Sequence, residues 1–223
     1  ILDAHEDYPS LMSLYLPKFL VMSLAQLESF LIRDIDRIIT ASSVLANKYN
    51  REGKHKAIAI GNYPPLAEFE NLALEDVRTA RRQIHIDESK LLVAYIGGFS
   101  RNRRLDSLID AARKLPDVQF AFWGDGHQRM LIQAASDSLS NVNYFGWLPY
   151  EQVPLYTSVA YIFYYCIDPD YPGAIYNAPN ALGNAMAAGT PLIANDLGDL
   201  GQIIKATKAG ILIERLSTDA IID

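Results

Sequence analysis

The stretch YIGGFSRNRRLDSLIDA, Tyr95 to Ala111, sets two glycines and three arginines between an apolar run and a helical period. Gly97 and Gly98 let backbone amides approach an anion, and Arg101, Arg103 and Arg104 supply forked donors that match phosphate oxygens. A helix starting near Leu105 adds the partial positive charge of its N-terminus. This is the chemistry of a diphosphate site. The same residues also describe a solvated, arginine-rich turn. They form neither a Walker loop nor a dinucleotide fingerprint, so a nicotinamide enzyme finds no support.

Three other constellations carry chemistry. FWGDGHQR, Phe122 to Arg129, follows an apolar run with the tight turn Gly124-Asp125-Gly126, at the strand end where ligands bind open α/β sheets. DAHEDYP puts His5 and Glu6 after another strand; a histidine there can carry a proton or meet a sugar hydroxyl, and the neighbouring carboxylate can orient it. A loop histidine is the plainer reading. YIFYYCIDPDYP contains Asp168 and Asp170, a pair resembling the metal-binding Asp-x-Asp of metal-dependent sugar transferases. Pro169, Tyr171 and Pro172 make that segment a stiff loop, which favours a surface turn over a metal site. His55, His85 and His127 show no metal-ligand spacing, and no metal is expected.

The elements that must position these residues follow from alternation of apolar runs with helical periods. Strands are expected at 1–4, 37–41, 56–60, 91–97, 118–124, 142–146, 161–166, 191–195 and 209–213, most of them separated by a helix-length segment. That is the βαβ alternation of a parallel sheet, so the fold class is α/β. Ser42 caps a helix that ends at Gly53, and Leu105, Leu108, Ile109, Ala112 and Leu115 share the face of another. Residues 1–63 form one block and 88–223 a second. The charged, strandless segment 64–87 reads as the linker between them. The first block has three strands, too few for a complete doubly wound domain. The chain opens in the last residues of a strand and stops soon after another, so it reads as a truncated piece that lacks its final helices.

Half of the 223 residues are hydrophobic and 21% are charged, with a net charge of −6. A globular core is therefore accessible, and a nucleic acid is not the expected partner. A single cysteine, Cys166, excludes a disulfide framework and fits a reducing, cytoplasmic setting. No apolar run is long enough to span a bilayer. The stripe in LYLPKFLVMSLAQLESFLIRD is expected to pack in the core, with contact to a membrane surface as the alternative.

Taken in order, DAHEDYP, DRIITASSVLA, IAIGNYPP, AYIGGFSRNRRLDSLIDAA, FAFWGDGHQR, NVNYFGWLPYEQVPLYTSVAYIFYY and APNALGNAMAAGTPLIAND resemble the family 4 retaining glycosyltransferases of the GT-B architecture, built from two Rossmann-like domains. The resemblance implies that 1–63 is the C-terminal part of the acceptor-side domain and 88–223 the donor-binding domain. It implies a nucleotide-sugar donor as substrate and no separate cofactor. A glycan or lipid-linked acceptor in cell-surface polysaccharide assembly follows, with a hexosyl group transferred in the cytoplasm or at the inner face of the membrane. The family's arginine and lysine at the donor diphosphate fall on Gly98 and Arg103, and its two glutamates on Tyr176 and Asn184. Pro179, Asn180 and Ala181 stand where related members read Pro-Asn-Lys, and His5 matches the histidine at the transferred sugar. Catalysis would then rest on His5 and Arg103. Donor binding would rest on Gly97, Gly98, Arg101, Arg103, Arg104, Gly124, Asp125, Gly126, Tyr176, Asn180 and Asn184. Two other readings stay open: a noncatalytic binding module or partner subunit, and a nucleotide-sugar epimerase.

Overall fold

The computed structural model describes residues 1–52, 56–87 and 89–223, without the side chains of Glu52 and Lys56. Gly53, expected to end a helix, and His55 lie outside the described residues. The chain divides into two compact units: Ile1–Asn62 with Pro169–Pro179 and Leu197–Gln202, and Tyr63–Asp168 with Asn180–Asp196 and Ile203–Asp223.

The first unit begins with β1 (Leu2–Ala4), α1 (Tyr8–Met12), α2 (Lys18–Leu31), β2 (Arg37–Thr40), α3 (Ser43–Glu52) and β3 (Lys56–Ala59), the strands forming a parallel sheet in the order β1-β2-β3. Ile38 and Leu45 are fully buried at its centre, with Ile32, Ala46, Tyr49 and Ala57 around them. The start of α3 is capped twice. Leu45 N donates to Ser42 Oγ at 3.3 Å, the expected cap, while Ser43 N donates to Asp199 Oδ2 at 2.6 Å and its hydroxyl to Asp199 Oδ1. A buried carboxylate at a helix N-terminus satisfies orphan amides and complements the dipole.

The apolar stripe does not enter this core. None of the 14 residues of α2 is buried, and Phe19, Met22, Leu27, Phe30 and Leu31 are exposed. The helix packs chiefly on α1 and on the turn Ile32–Asp34. Among the described residues no helix is long and apolar enough to cross a membrane.

The second unit opens with α4 (Ala67–Glu70) and α5 (Leu74–Gln83), both within the segment read as a linker; Phe69, Ala80, Ile84 and Ile86 there are buried. It continues with β4 (Leu92–Ile96), α6 (Leu105–Lys114), β5 (Gln119–Trp123), α7 (Arg129–Ser138) and β6 (Val142–Gly146). The chain goes on through α8 (Val153–Val159), β7 (Ile162–Tyr165), α9 (Asn180–Ala188), β8 (Leu192–Asn195), α10 (Gly198–Thr207), β9 (Gly210–Ile213) and α11 (Thr218–Ile222), with α10 starting among residues of the first unit. All six strands are parallel in the order β6-β5-β4-β7-β8-β9. Relabelled by sequence this is 3-2-1-4-5-6, the doubly wound order, whose ligand crevice opens at the carboxyl ends of the two strands where the winding reverses. Those strands are β4 and β7. The expected face of α6 is buried at Leu105, Leu108, Ile109 and Ala112, while Leu115 is only partly covered.

Main-chain bonding continues past the strand ends. Gly97 N donates to Trp123 O at 3.0 Å, Phe99 N to Asp125 O at 2.8 Å, Gln128 N to Phe99 O at 2.9 Å and Gly124 N to Gly146 O at 2.8 Å. Gly124 sits at φ +144°, and a Cβ there would lie 1.9 Å from Gly97 O. Gly124→Ala is therefore expected to destabilise the protein by about 3 kcal/mol or more, through strain and overlap with a backbone carbonyl that cannot swing away. Gly98→Ala, whose Cβ would meet nothing within 4 Å, is the control and should melt within a degree or two of wild type. Thermal and urea unfolding of the two variants read the difference.

Candidate functional site

The crevice of the second unit is lined on one side by the segment after β4 and on the other by the segment after β7. Gly97, at φ +150°, turns the chain out of β4, and Gly98 is exposed with its carbonyl accepting the Tyr95 hydroxyl at 2.7 Å. A 3-10 turn, Arg101–Arg103, then leads into α6.

The three arginines, equivalent in the sequence, are held differently. Arg101 is exposed. Arg104 takes a left-handed conformation, φ +51°, at the N-cap of α6, and its guanidinium pairs with Asp106 at 3.5 Å and Asp168 at 3.8 Å. Arg103 turns the other way. Its guanidinium carbon stands 4.5 Å from the centre of the Tyr165 ring, and its Nη1 is buried without a hydrogen-bond partner among the described residues. A buried, unbonded guanidinium nitrogen is costly unless an acceptor arrives. Of the three, Arg103 is the one with a buried donor left unbonded among the described residues.

Asp168 is occupied structurally. Its carboxylate meets Arg104, and its N–H donates to Asn102 O at 2.8 Å, tying the two sides of the crevice together. Among the described residues, no group of three or more His, Cys, Asp or Glu side chains could hold a metal ion. Asp125 is exposed; it accepts from Gly126 N at 2.7 Å and pairs with Arg129 at 3.4 Å. Gly126, at φ +143°, packs its backbone against Phe99, so a Cβ would lie 3.0 Å from Phe99 N.

The crevice floor rests on residues the sequence did not single out. Asn195, at the end of β8, is buried and clamps Ile167 in both directions: Ile167 N donates to Oδ1 and Nδ2 donates to Ile167 O, each at 2.9 Å. The one available signal was an apolar strand ending in a side-chain amide. Tyr95, Tyr164 and Tyr165 are buried beneath the arginine turn, and Tyr164 Oη donates to Arg104 O at 3.3 Å. Burial pushes the Tyr165 phenol up to about 12 against the lowering charge of Arg103, and pushes the Cys166 thiol up to about 12.

Of the remaining predicted residues, Asn180 is the exposed first residue of α9 and Asn184 is half-buried on the same helix, where Ala181 faces inward. Tyr176 belongs to the first unit. Its ring packs on the cluster around Leu45 and lies 5.7 Å from Lys48 Nζ, which pairs with buried Asp7 at 2.7 Å. His5, also in the first unit, is exposed, and its Nε2 is 3.2 Å from Asp3 Oδ2. The orienting carboxylate is thus Asp3 and not Glu6, because the period of two in an extended chain puts residues 3 and 5 on the same side.

Comparison with known proteins places this geometry. The model of the family described as "Glycosyl transferases group 1" matches residues 76–223. The Escherichia coli (strain K12) protein named "Putative colanic acid biosynthesis glycosyl transferase WcaI" is 26% identical over 129 residues, 55% of this chain and 32% of its own length. Among solved structures, Anabaena HepE in complex with UDP superposes with a TM-score of 0.77 at 15% identity, over 99% of this chain and 59% of HepE. WaaG, a glycosyltransferase involved in lipopolysaccharide biosynthesis, gives 0.71 at 16% identity, over 98% of this chain and 62% of WaaG. The chain thus spans 32% of the curated relative's length, and its likeness to the two structures is one of fold.

The buried phenol and thiol give a pH-dependent expectation. Above about 9, the ordinary thiol value, the unfolded chain releases protons that the folded chain retains up to about 12, so stability should fall as pH rises through that window. Denaturation midpoints between pH 8 and 11 measure this. The same burial should leave Cys166 unreactive towards a disulfide reagent until the chain is unfolded.

Proposed function

From a chain that belongs to the glycosyl transferases group 1 family and carries the GT-B type α/β fold, we propose transfer of a hexosyl group from a nucleoside diphosphate sugar to a glycan or lipid-linked acceptor, with retention of configuration. The observation that carries this reading is the Arg103 guanidinium, held at the winding reversal with a buried nitrogen unpaired. The UDP complex of HepE and the polysaccharide roles in the names of WcaI and WaaG support the donor class and a place in cell-surface polysaccharide assembly. That assembly would occur in the cytoplasm or at the inner face of the membrane.

In this reading Arg103, with the α6 N-terminus, stabilises the charge that grows on the departing diphosphate, a task that elsewhere falls to a divalent ion. The amides of Gly97 and Gly98 approach the phosphates, and the Gly124 to Gly126 backbone lines the nucleotide. Asn184 bonds the ribose as a neutral partner, with roughly half the strength of a charge-assisted bond. Following the resemblance, His5 contacts the transferred sugar, and Asp3 fixes its ring.

A noncatalytic binding module is the second reading, favoured by Tyr176. Where the resemblance expects a carboxylate at the sugar, this ring packs into the core of the first unit beneath Lys48.

A thermal-shift series with UDP, GDP, ADP and their sugar conjugates, with and without magnesium, tests the proposal. One nucleotide at about a hundred times its dissociation constant should stabilise the wild type by about 2.7 kcal/mol without magnesium. Arg103→Ala should lose that shift while melting normally when ligand-free, and Gly98→Arg, with open space around its Cβ, should bind more tightly. An undiminished shift in Arg103→Ala would sink the assignment. Donor binding without nucleotide release on adding acceptor would favour the noncatalytic reading.

A further inference from the structure

Resting on that reading of the crevice, we infer that Tyr165 is a positioning residue whose ring fixes the Arg103 guanidinium for a diphosphate. An arginine on an exposed turn normally samples many rotamers, and ordering it on binding weakens affinity. Here the guanidinium is already seated. Its carbon is 4.5 Å from the Tyr165 ring centre, and the ring belongs to the last residue of β7, itself buried and hydrogen-bonded into the sheet.

The neighbouring carboxylates engage the next arginine. Asp106 and Asp168, on either side of the crevice, both pair with Arg104. Arg103's charge acts against the burial-driven rise of both Tyr95 and Tyr165, which stand on the adjacent strands β4 and β7. A planar, weakly hydrated guanidinium can lie on a ring and still present donors at its edge, whereas an ammonium cannot do both. Its Nη1 is buried and has no hydrogen-bond partner among the described residues. The arrangement divides the labour of the turn: Arg104 holds the crevice walls together through Asp168, and Tyr165 keeps Arg103 out of that network.

The test uses the whole chain and inorganic pyrophosphate as probe, with UDP titrated separately. The Arg103 Nε–Hε resonance, assigned by its loss in Arg103→Ala, is followed in wild type, Tyr165→Phe and Tyr165→Leu, with melting curves to verify folding. In wild type, pyrophosphate should move this resonance to saturation. Tyr165→Phe keeps the ring and should bind within about threefold, while Tyr165→Leu should bind about tenfold more weakly and lose the ring-current shift. Should Tyr165→Leu fail to fold, Arg103→Lys makes the comparison on an unaltered core, keeping the charge, losing the stack and again binding about tenfold more weakly.

Equal affinity in Tyr165→Leu, or in Arg103→Lys where that variant stands in, overturns the inference. So does a Tyr165→Phe variant as weak as Tyr165→Leu, or a wild-type resonance that pyrophosphate leaves unmoved. UDP binding no tighter than pyrophosphate would sink the nucleotide reading and leave the Tyr165 seat standing.

Discussion

The absence of a side chain at Gly124 is the constraint on which the rest of the second unit depends. The carbonyl of Gly97 occupies the volume where a Cβ would stand, so the segments after β4 and β5 run in contact with no atoms between them. That contact lets the sheet's hydrogen-bonding carry on through Gly97, Phe99 and Gln128 beyond the last regular strand residues. A turn bonded along its length to its neighbour has few ways to move. Arg101 to Arg104 therefore leave a rigid base, and the direction in which each guanidinium points is a property of the fold.

Beneath that turn the packing is aromatic and the polar accounting is almost closed. Tyr95 donates to Gly98 O, Tyr164 donates to the end of the arginine turn, and Asn195 satisfies both backbone groups of Ile167. Each of these groups would be expensive to bury unpaired. Among the described residues, Arg103 Nη1 shares its lack of a hydrogen-bond partner with Arg81 Nε and Thr157 Oγ1, and what sets it apart is its place. It lies at the reversal of winding, where open parallel sheets bind their ligands.

What the sequence disclosed and what it hid divide by the range of the interaction. All nine strands among the described residues were legible because each is a run of apolar residues bounded by turn formers, and the α6 face was legible because its period is local. The helices α4 and α5 were hidden because only a few apolar positions, Phe69 and Ala80 among them, mark their buried side within a charged segment. The failure of α2 to enter the core was illegible for the opposite reason: a hydrophobic period says that a face wants cover, not that cover is present. At the site, composition pointed to three arginines and two aspartates. It could not say that Arg104 would pair with Asp168, 64 positions on, or that Arg103 would lie on Tyr165, because those choices are made by strand pairing across the sheet. Asn195 was passed over because its partner lies 28 residues away.

The carboxylate that caps α3 has a consequence for the order in which this protein is made. Asp199 reaches Ser43 across a sequence separation of 156 residues, and the 169–179 and 197–202 segments belong to the same compact unit as the first 62 residues. Contacts of such range carry a large loop-closure cost and form late. On the ribosome, the sheet β1-β2-β3 must therefore wait for these supports until the 197–202 segment, which lies beyond β8, has been synthesised. A unit whose sheet is encoded early is closed by residues encoded after most of the other unit's strands.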